Sequence, residues 1–246
     1  MTKRSFIRFF TLLLCTMLLL TACNSGSSKK SSSKSNTYET PVKIMEDCAN
    51  AKKATAFAKE LTAQLNSLAE DEVNAIFKAL SKSEDIQNQL ENSAAQHQDR
   101  INDMKNEYGD DYKYTYKIEG KKELEEEDLR NFRDQINSYI EELNTLVKDT
   151  ESFDSDEWAD LADFLGMNSS EAKAYISALD DLRQELKDIT VEEGYKLQVV
   201  ISLSGSKLDE SQDSKILMRV YKVNGRWISE NTAPNVCSYI KMLVYN

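Results

Sequence analysis

The sequence predicts a helix-rich α+β protein, because helical patterns come first and an antiparallel sheet follows. Between residues 40 and 194, apolar side chains recur mostly at spacings of three and four, which is typical of amphipathic helices. From residue 195 the pattern changes to alternation, and Asn224-Gly225 is a strong hairpin signal. We therefore expect several amino-terminal and central helices packed on an antiparallel sheet.

Seven apolar stripes predict the helices. The first follows Pro41, a residue that favours the first turn of a helix. The stripes cover residues 44–51, 57–68, 73–80, 86–108, 129–147, 154–165 and 172–186. Ser81 and Glu84 have capping-box spacing, which predicts that a helix starts between them. The other end signals are the box Asp154 and Glu157, the staple pair Phe153 and Trp158, the stop at Gly166 and the cap at Asn168.

Alternation predicts the strands. Tyr112, Tyr114, Tyr116 and Ile118 alternate with polar residues, which is typical of a half-buried strand. Residues 195–203 alternate except at Val200, and residues 205–213 are predicted to form a loop. Strands over 216–223 and 226–229 flank the hairpin turn, whose register pairs Tyr221 with Ile228 and Lys222 with Trp227. The tail from Pro234 has helical spacing and is predicted to form a short helix.

The amino terminus has the pattern of an export signal. Three basic residues, Lys3, Arg4 and Arg8, precede an apolar run over residues 9–20. This run is too short to span a bilayer comfortably. The next residues, Leu20-Thr21-Ala22-Cys23, resemble the lipobox of bacterial lipoproteins. This resemblance implies a diacylglyceryl group on Cys23, cleavage before it, and a lipid-anchored position on the extracytoplasmic face of the membrane. The alternative is an ordinary cleaved signal followed by a chance cysteine.

A polar segment separates the cysteine from the domain. Residues 24–37 contain no apolar side chain, so we expect a disordered tether with a root-mean-square reach of roughly 20 Å. The predicted organisation is a signal peptide over 1–22, the lipidated cysteine and tether over 23–37, and one α+β domain over 38–246. The membrane, through the lipid on Cys23, is the first predicted partner.

The charge is strongly acidic and excludes some partners. The chain carries a formal net charge of −11, and removal of residues 1–22 leaves 28 basic residues against 42 acidic ones. A polyanion of this kind binds nucleic acid poorly, so no nucleic-acid partner is expected. The same charge argues against the domain lying flat on an anionic membrane.

Three stretches carry a resemblance to a family. They are YETPVKIMEDCANAKKATAF, YGDDYKYTYKIEGKKELEEEDL and GYKLQVVISLSGSKLDESQDSKILMRVYKVNGRWI. Their pattern and order resemble surface lipoproteins of clostridial-type Gram-positive bacteria that carry an NTF2-like (cystatin-like) domain of unknown function. The resemblance implies a roll in which helices cover a curved antiparallel sheet and leave a cavity at the open end. The long helical region implies a helical insertion in that domain.

Few residues are candidates for chemistry. His97 is the single histidine and shares a helix face with Leu90 and Ile101, so a packed or surface role is favoured over general-base catalysis. The acidic run over 149–163 lacks the glycine of a calcium loop, which favours a solvated helix face over a metal site. Cys48 and Cys237 could form a disulfide, but two buried thiols are favoured. Ser238-Tyr239-Ile240-Lys241 matches S-x-x-K without its companion motifs. We expect no catalytic residue, no metal and no cofactor.

The strand aromatics are the candidates for ligand binding. If they line the concave face of the sheet, they suit a small apolar or carbohydrate-like ligand; the alternative is that they form core against the helices. The candidates are Tyr114, Tyr116, Tyr221 and Trp227. The sequence thus predicts a non-enzymatic lipoprotein that binds a small ligand or an envelope protein. The alternatives are an enzyme that uses a buried carboxylate in an NTF2-like cone, and an envelope assembly or stress protein.

Overall fold

The structure is a computed structural model that describes residues 36–52, 75–76, 78–79 and 82–229. Several predictions therefore lie outside the described residues: the signal peptide, Cys23, the helix over 57–68, the cap at Ser81, Cys237 and the tail from Pro234. In the stripe over 73–80, Ile76 is helical and buried. The backbones of Cys48 and His97 are helical, whereas their side chains are outside the described part.

The described part contains a helix-rich α+β fold with an open, four-stranded antiparallel sheet, which confirms the predicted class. The strand order is β1-β2-β3-β4, and three helices connect β1 to β2. The elements in chain order are α1 (Thr40–Ala49), α2 (Glu84–Tyr108), β1 (Lys113–Glu123), α3 (Glu126–Glu151), α4 (Ser155–Leu165), α5 (Ser169–Lys187), β2 (Val191–Ser204), β3 (Gln212–Val223) and β4 (Arg226–Ser229). No helix among the described residues is both long enough and apolar enough to cross a membrane.

Local signals correctly predicted both ends of α4, the start of α5 and the hairpin turn. Asp154 and Asn168 each form a capping box, and Gly166 ends α4 with φ 62°. The rings of Phe153 and Trp158 meet edge to face with centroids 5.5 Å apart, as expected for a hydrophobic staple. The hairpin has the predicted register, with Asn224 at φ 47° and Gly225 at φ 76°.

The strand bounds differ from the prediction. β1 begins after Tyr112, which is buried, and continues past Ile118 to Glu123. A β-bulge between Ile118 and Gly120 breaks the alternation on which the prediction depended, while pairing with β2 continues beyond it. β2 begins at Val191, four residues earlier than predicted, and β3 begins inside the predicted loop. Hydrogen-bonded pairing with the neighbouring strands, and not the alternation of side chains, thus sets the length of each strand.

The sheet separates two hydrophobic clusters. On one side, which we call the α3 face, Tyr221, Val223 and Ile228 pack with α3, α4 and α5. On the other side, the α1 face, Val42 of α1 packs on a group of buried strand residues: Leu197, Val199, Met218, Val220 and Trp227. Alternation along each strand therefore places successive side chains on opposite faces, and each face carries one of the two cores.

Gly194 lies where α3 begins against the sheet. Its carbonyl oxygen accepts a hydrogen bond from the backbone N–H of Leu124 at 2.9 Å. A Cβ at this position would lie 2.7 Å from Cδ1 of Leu124 and 3.1 Å from Cδ2 of Leu129. The close approach of these leucine side chains therefore favours glycine at this position.

The end of α1 is fastened to the edge of the sheet. The side-chain amide of Asn50 donates to the carbonyl oxygen of Tyr114 at 2.7 Å, and its oxygen accepts from the N–H of Tyr114 at 2.8 Å. Lys52 donates to the carbonyl oxygen of Tyr112 at 2.6 Å. Asn50 thus makes the pair of bonds that a residue of a further strand would make.

Candidate functional site

The structure does not bring the four predicted ligand-binding residues together. Tyr221 is on the α3 face and stacks on Phe132, with centroids 3.8 Å apart and planes 4° from parallel. Tyr114, Tyr116 and Trp227 belong to the α1 face, by their register with β2 and β3. Tyr114 pairs with Leu203, about 26 Å along β2 from Tyr195, near which Trp227 lies.

Three of the four have neighbours typical of core residues. Tyr221 is buried, and Tyr116 is half-buried against the cluster beneath α1. The hydroxyl of Tyr114 lies 4.0 Å from Sδ of Met104, and burial raises the pKa of Tyr114. These three tyrosines therefore fit the alternative that the strand aromatics are core residues. Trp227 is the remaining candidate around which a binding site can be built.

Trp227 forms an aromatic cluster with two tyrosines, Tyr38 and Tyr195. The rings of Trp227 and Tyr195 stack with centroids 5.3 Å apart and an interplanar angle of 18°. Tyr38 meets both edge to face, at 5.5 Å from Tyr195 and 6.3 Å from Trp227. These distances are in the range where aromatic rings attract one another.

The segment before α1 positions Tyr38. The side-chain oxygen of Asn36 accepts a hydrogen bond from the backbone N–H of Trp227 at 2.7 Å, which ties this segment to β4. The N–H of Thr37 donates to Oγ1 of Thr40 at 2.9 Å, so the turn into α1 is also closed. Trp227 is only 7% exposed, whereas Tyr38 and Tyr195 are half-buried and leave the cluster partly open.

Lys121 inserts its ammonium group between the two tyrosines. Its Nζ lies 4.2 Å from the ring centroid of Tyr38 and 4.4 Å from that of Tyr195. Regular alternation from Ile118 would place Lys121 on the α3 face, but the bulge before Gly120 turns it to the α1 face. The one extra residue of the bulge thus places the ammonium group of Lys121 against the faces of two aromatic rings.

Carboxylates surround the same rings. The hydroxyl of Tyr195 donates to Oε2 of Glu193 at 3.1 Å. Burial is the main cause that raises the pKa of Tyr195, and Glu193 and Glu123 raise it further. A hydrogen bond with Glu39 is the main cause that raises the pKa of Tyr38. Both tyrosines therefore stay neutral at physiological pH, in surroundings that favour positive charge.

The arrangement can hold a cation, and it contains no nucleophile paired with a base. Aromatic faces and nearby carboxylates both attract ammonium groups. No group of three or more His, Cys, Asp or Glu side chains in the described part could hold a metal ion. The acidic run contributes the helix cap Asp154 and a set of exposed side chains on α4, including Asp156, Asp160 and Asp163.

Sequence reasoning missed Tyr38, Lys121 and the role of Tyr195. Tyr195 was visible as part of the alternating strand. The glycine beside Lys121 was a signal for a bulge, because glycine inside a strand often marks one. The position of Tyr38 depends on a contact with β4 nearly two hundred residues away, and no local pattern predicts it.

Comparison with family models, with curated protein sequences and with solved structures finds no match to this chain.

Proposed function

We propose that this protein is a lipoprotein anchored through Cys23 to the extracytoplasmic face of the membrane, where its domain binds a ligand without catalysis. The lipobox pattern and the polar tether support the anchor. The α+β fold with an antiparallel sheet is compatible with the NTF2-like roll of the lipoproteins that the sequence resembles.

The ligand we propose is a small organic cation bound by the aromatic cluster. The single observation that carries this proposal is the ammonium group of Lys121 between the rings of Tyr38 and Tyr195. Lys121 is exposed and lies on an edge strand, so its side chain can leave without opening the core. A ligand ammonium would then occupy the same position.

The contacts set the expected affinity. Two cation–π contacts contribute about 1–4 kcal/mol together. This corresponds to binding in the millimolar range. Lys121 competes for the site, so the wild-type chain should bind more weakly than a chain without this lysine.

Calorimetry with choline tests the proposal. In Lys121→Ala we expect choline to bind several-fold more tightly than in the wild type, because the internal competitor is gone. The neutral isostere 3,3-dimethylbutan-1-ol should bind neither protein measurably, since it lacks the charge.

Lys173→Ala is a matched control. Lys173 lies over the ring of Trp158, 5.3 Å from its centroid, and is remote in sequence from the aromatic cluster. This variant should bind choline as the wild type does. Equal affinity for choline and its neutral isostere, or equal gains in the two lysine variants, would contradict a cation site at Tyr38 and Tyr195.

A further inference from the structure

The aromatic cluster lies beside the point at which the chain enters the domain. The described part begins at Asn36, whose side-chain oxygen accepts a hydrogen bond from the N–H of Trp227 at 2.7 Å. Tyr38 follows directly after Thr37, and its ring centroid lies 6.3 Å from that of Trp227. Cys23, the proposed site of the lipid, precedes Asn36 by thirteen residues. In the anchored protein, the cluster would therefore lie at the domain end of the tether.

The predicted tether is short enough to keep the cluster close to the membrane surface. Its expected root-mean-square reach is roughly 20 Å. A group on a short flexible linker meets a partner at the other end of that linker at an effective concentration in the millimolar range. Two cation–π contacts give binding in the same millimolar range. The cluster therefore suits a ligand that is held at the same surface, whereas a dilute solute would leave it empty.

Charged groups beside the rings indicate a ligand that carries both signs of charge. The carboxylate of Glu193 accepts a hydrogen bond from the hydroxyl of Tyr195 and pairs with Lys222 at 3.2 Å. Lys222 also pairs with Glu192 at 3.0 Å, so its charge is already neutralised. Within the described part, Lys121 contacts the two tyrosine rings and pairs with no carboxylate. Lys121 is therefore a cation that a ligand at the cluster can recruit.

A ligand ammonium that enters between the rings displaces the ammonium group of Lys121. The lysine stem is flexible and the side chain is exposed on an edge strand, so the displaced group stays beside the cluster. An anionic group joined to the ligand's ammonium by a short spacer then lies within its reach. A charge-assisted hydrogen bond to that anion replaces the cation–π contacts that Lys121 gave up. Lys121 thus opposes a simple cation but holds a zwitterion.

We infer that the aromatic cluster binds the headgroup of a zwitterionic phospholipid, in which an ethylene spacer joins an ammonium group to a phosphate. The ammonium lies between the rings of Tyr38 and Tyr195, and the phosphate accepts a hydrogen bond from Lys121. This assignment rests on the proposed function, because it names the source of the cation that the cluster binds. Free glycerophosphocholine presents the same two groups without a membrane, so the lipid source has a test of its own.

Calorimetry compares choline with glycerophosphocholine, using the full chain in a maltoside detergent. The wild type should bind glycerophosphocholine about two- to fivefold more tightly than choline, as expected of one exposed ion pair. In Lys121→Ala this preference should disappear, since the phosphate has lost its partner beside the rings. Lys122→Ala removes the same charge from the next residue, which lies on the opposite face of the sheet, and should keep the wild-type preference.

Vesicles test whether the headgroup of a membrane lipid reaches the cluster. Trp158→Phe leaves Trp227 as the single tryptophan, so its fluorescence reports on the site. The lipid-anchored chain in phosphatidylcholine vesicles should show the change in emission that saturating glycerophosphocholine causes in detergent. Phosphatidylglycerol vesicles, which lack the ammonium group, should cause no such change. A Cys23→Ser chain added to phosphatidylcholine vesicles should also show none, because no tether holds it at the surface.

The outcomes separate the headgroup assignment from the proposed function. Failure of choline to bind would contradict the cation site itself. Choline binding without a preference for glycerophosphocholine, or a preference that survives in Lys121→Ala, would overturn the headgroup assignment and leave the cation site in place. A change in Trp227 emission with free glycerophosphocholine but not in phosphatidylcholine vesicles would assign the site to a soluble zwitterion. The same change in phosphatidylglycerol vesicles would show an effect of the membrane without recognition of the headgroup.

Discussion

At the scale of single residues, Lys121 reaches the aromatic cluster only because its strand contains a bulge. Its strand alternates regularly through Ile118, and a continuation would expose Lys121 on the other face. Glu119 is the extra residue, and its carboxylate pairs with Lys215 on the α3 face. The bulge therefore serves both faces at once: it adds an ion pair on one and a cation–π contact on the other.

Gly194 is a residue at which a single added methyl group should change the stability of the protein. In Gly194→Ala the added Cβ meets the side-chain ends of Leu124 and Leu129 and the carbonyl oxygen of Val220, so the two leucine side chains must repack. We expect a loss of about 1–3 kcal/mol in the free energy of unfolding, as is typical of overpacking. Urea denaturation of the variant and the wild type measures it.

Gly120→Ala is the control for this change. A Cβ there would lie 3.4 Å from the side chain of Gln198, which is an ordinary contact. Its free energy of unfolding should stay within about 0.5 kcal/mol of the wild-type value. Similar losses in both variants would mean that the loss of strand glycine itself, and not the approach of α3, is responsible.

Some residue roles were predictable because their partners are close in sequence. The caps at Asp154 and Asn168 depend on groups within three residues, and both were predicted correctly. The turn at Asn224 was also predicted correctly, because its two residues favour a positive φ. Tyr38 depends on β4, and no pattern near it indicates this contact. The separation of Tyr221 from Trp227 could have been read from the hairpin register, since adjacent residues of a strand point to opposite faces.

At the scale of elements, the β2–β3 loop joins one end of the β1–β2 ladder to α2. The carboxylate of Asp111, in the turn before β1, accepts a hydrogen bond from the N–H of Ser206 in the β2–β3 loop at 2.9 Å. Lys207 in the same loop donates to the carbonyl oxygen of Asn106 at the end of α2, at 2.7 Å. The loop thus holds α2 and β1 together at one end of the sheet.

Asp111 makes this junction sensitive to pH. Hydrogen bonds from Ser206 lower the pKa of Asp111 below its usual range. A lowered pKa in the folded state contributes stability above the ordinary aspartate pKa, and this contribution disappears as the pH falls through the folded-state value. Asp111→Asn should therefore be less stable than the wild type at pH 7, and the difference in stability should shrink as the pH falls below the ordinary aspartate pKa of about 4.

The difference in stability between Asp111→Asn and the wild type is measured by thermal unfolding at pH 7, 5 and 3. Asp110→Asn removes the same charge from the adjacent exposed residue and should follow the wild type across this range. A difference in melting temperature between Asp111→Asn and the wild type that does not change with pH would mean that the carboxylate charge does not contribute to the contact with Ser206.

The length of β1 shows where sequence patterns fail for elements. The prediction ended the strand at Ile118, where alternation ends, but the ladder with β2 continues to the pair Glu123 and Tyr195. Hydrogen bonds to a neighbouring strand do not require alternating side chains, so a strand can stay paired beyond the point where the alternation of apolar and polar residues ends. Helix ends were better predicted, because their capping groups belong to the same segment.

At the scale of the whole molecule, the order of elements was enough to predict the α+β class, whereas the division of the core was not. The helices α3 to α5 gather on one face of the sheet, and α1 covers the other. No feature of the α1 sequence indicates which face it covers. The candidate site depends on this placement, because Tyr38 enters the cluster through the segment that leads into α1.

The proposed lipid anchor is tested on the full chain. Cys23→Ser removes the thiol that would carry the lipid, so we expect the protein to move from the membrane fraction to the soluble fraction or the medium. Cell fractionation and the mass of the purified chain measure this change. Cys15→Ser, within the apolar run, should leave the protein in the membrane. Retention of Cys23→Ser there would mean that the uncleaved apolar run holds the chain.

Asn50 has a consequence for how copies of this protein meet. The outer edge of β1 is a place where a strand from another molecule could add, and the amide of Asn50 already occupies the N–H and the carbonyl of Tyr114 there. Molecules that the proposed anchor confines to a membrane surface would meet one another in a restricted set of orientations. The side chain of Asn50 thus blocks edge-to-edge pairing with a strand of another molecule at Tyr114, and no additional strand is needed for this.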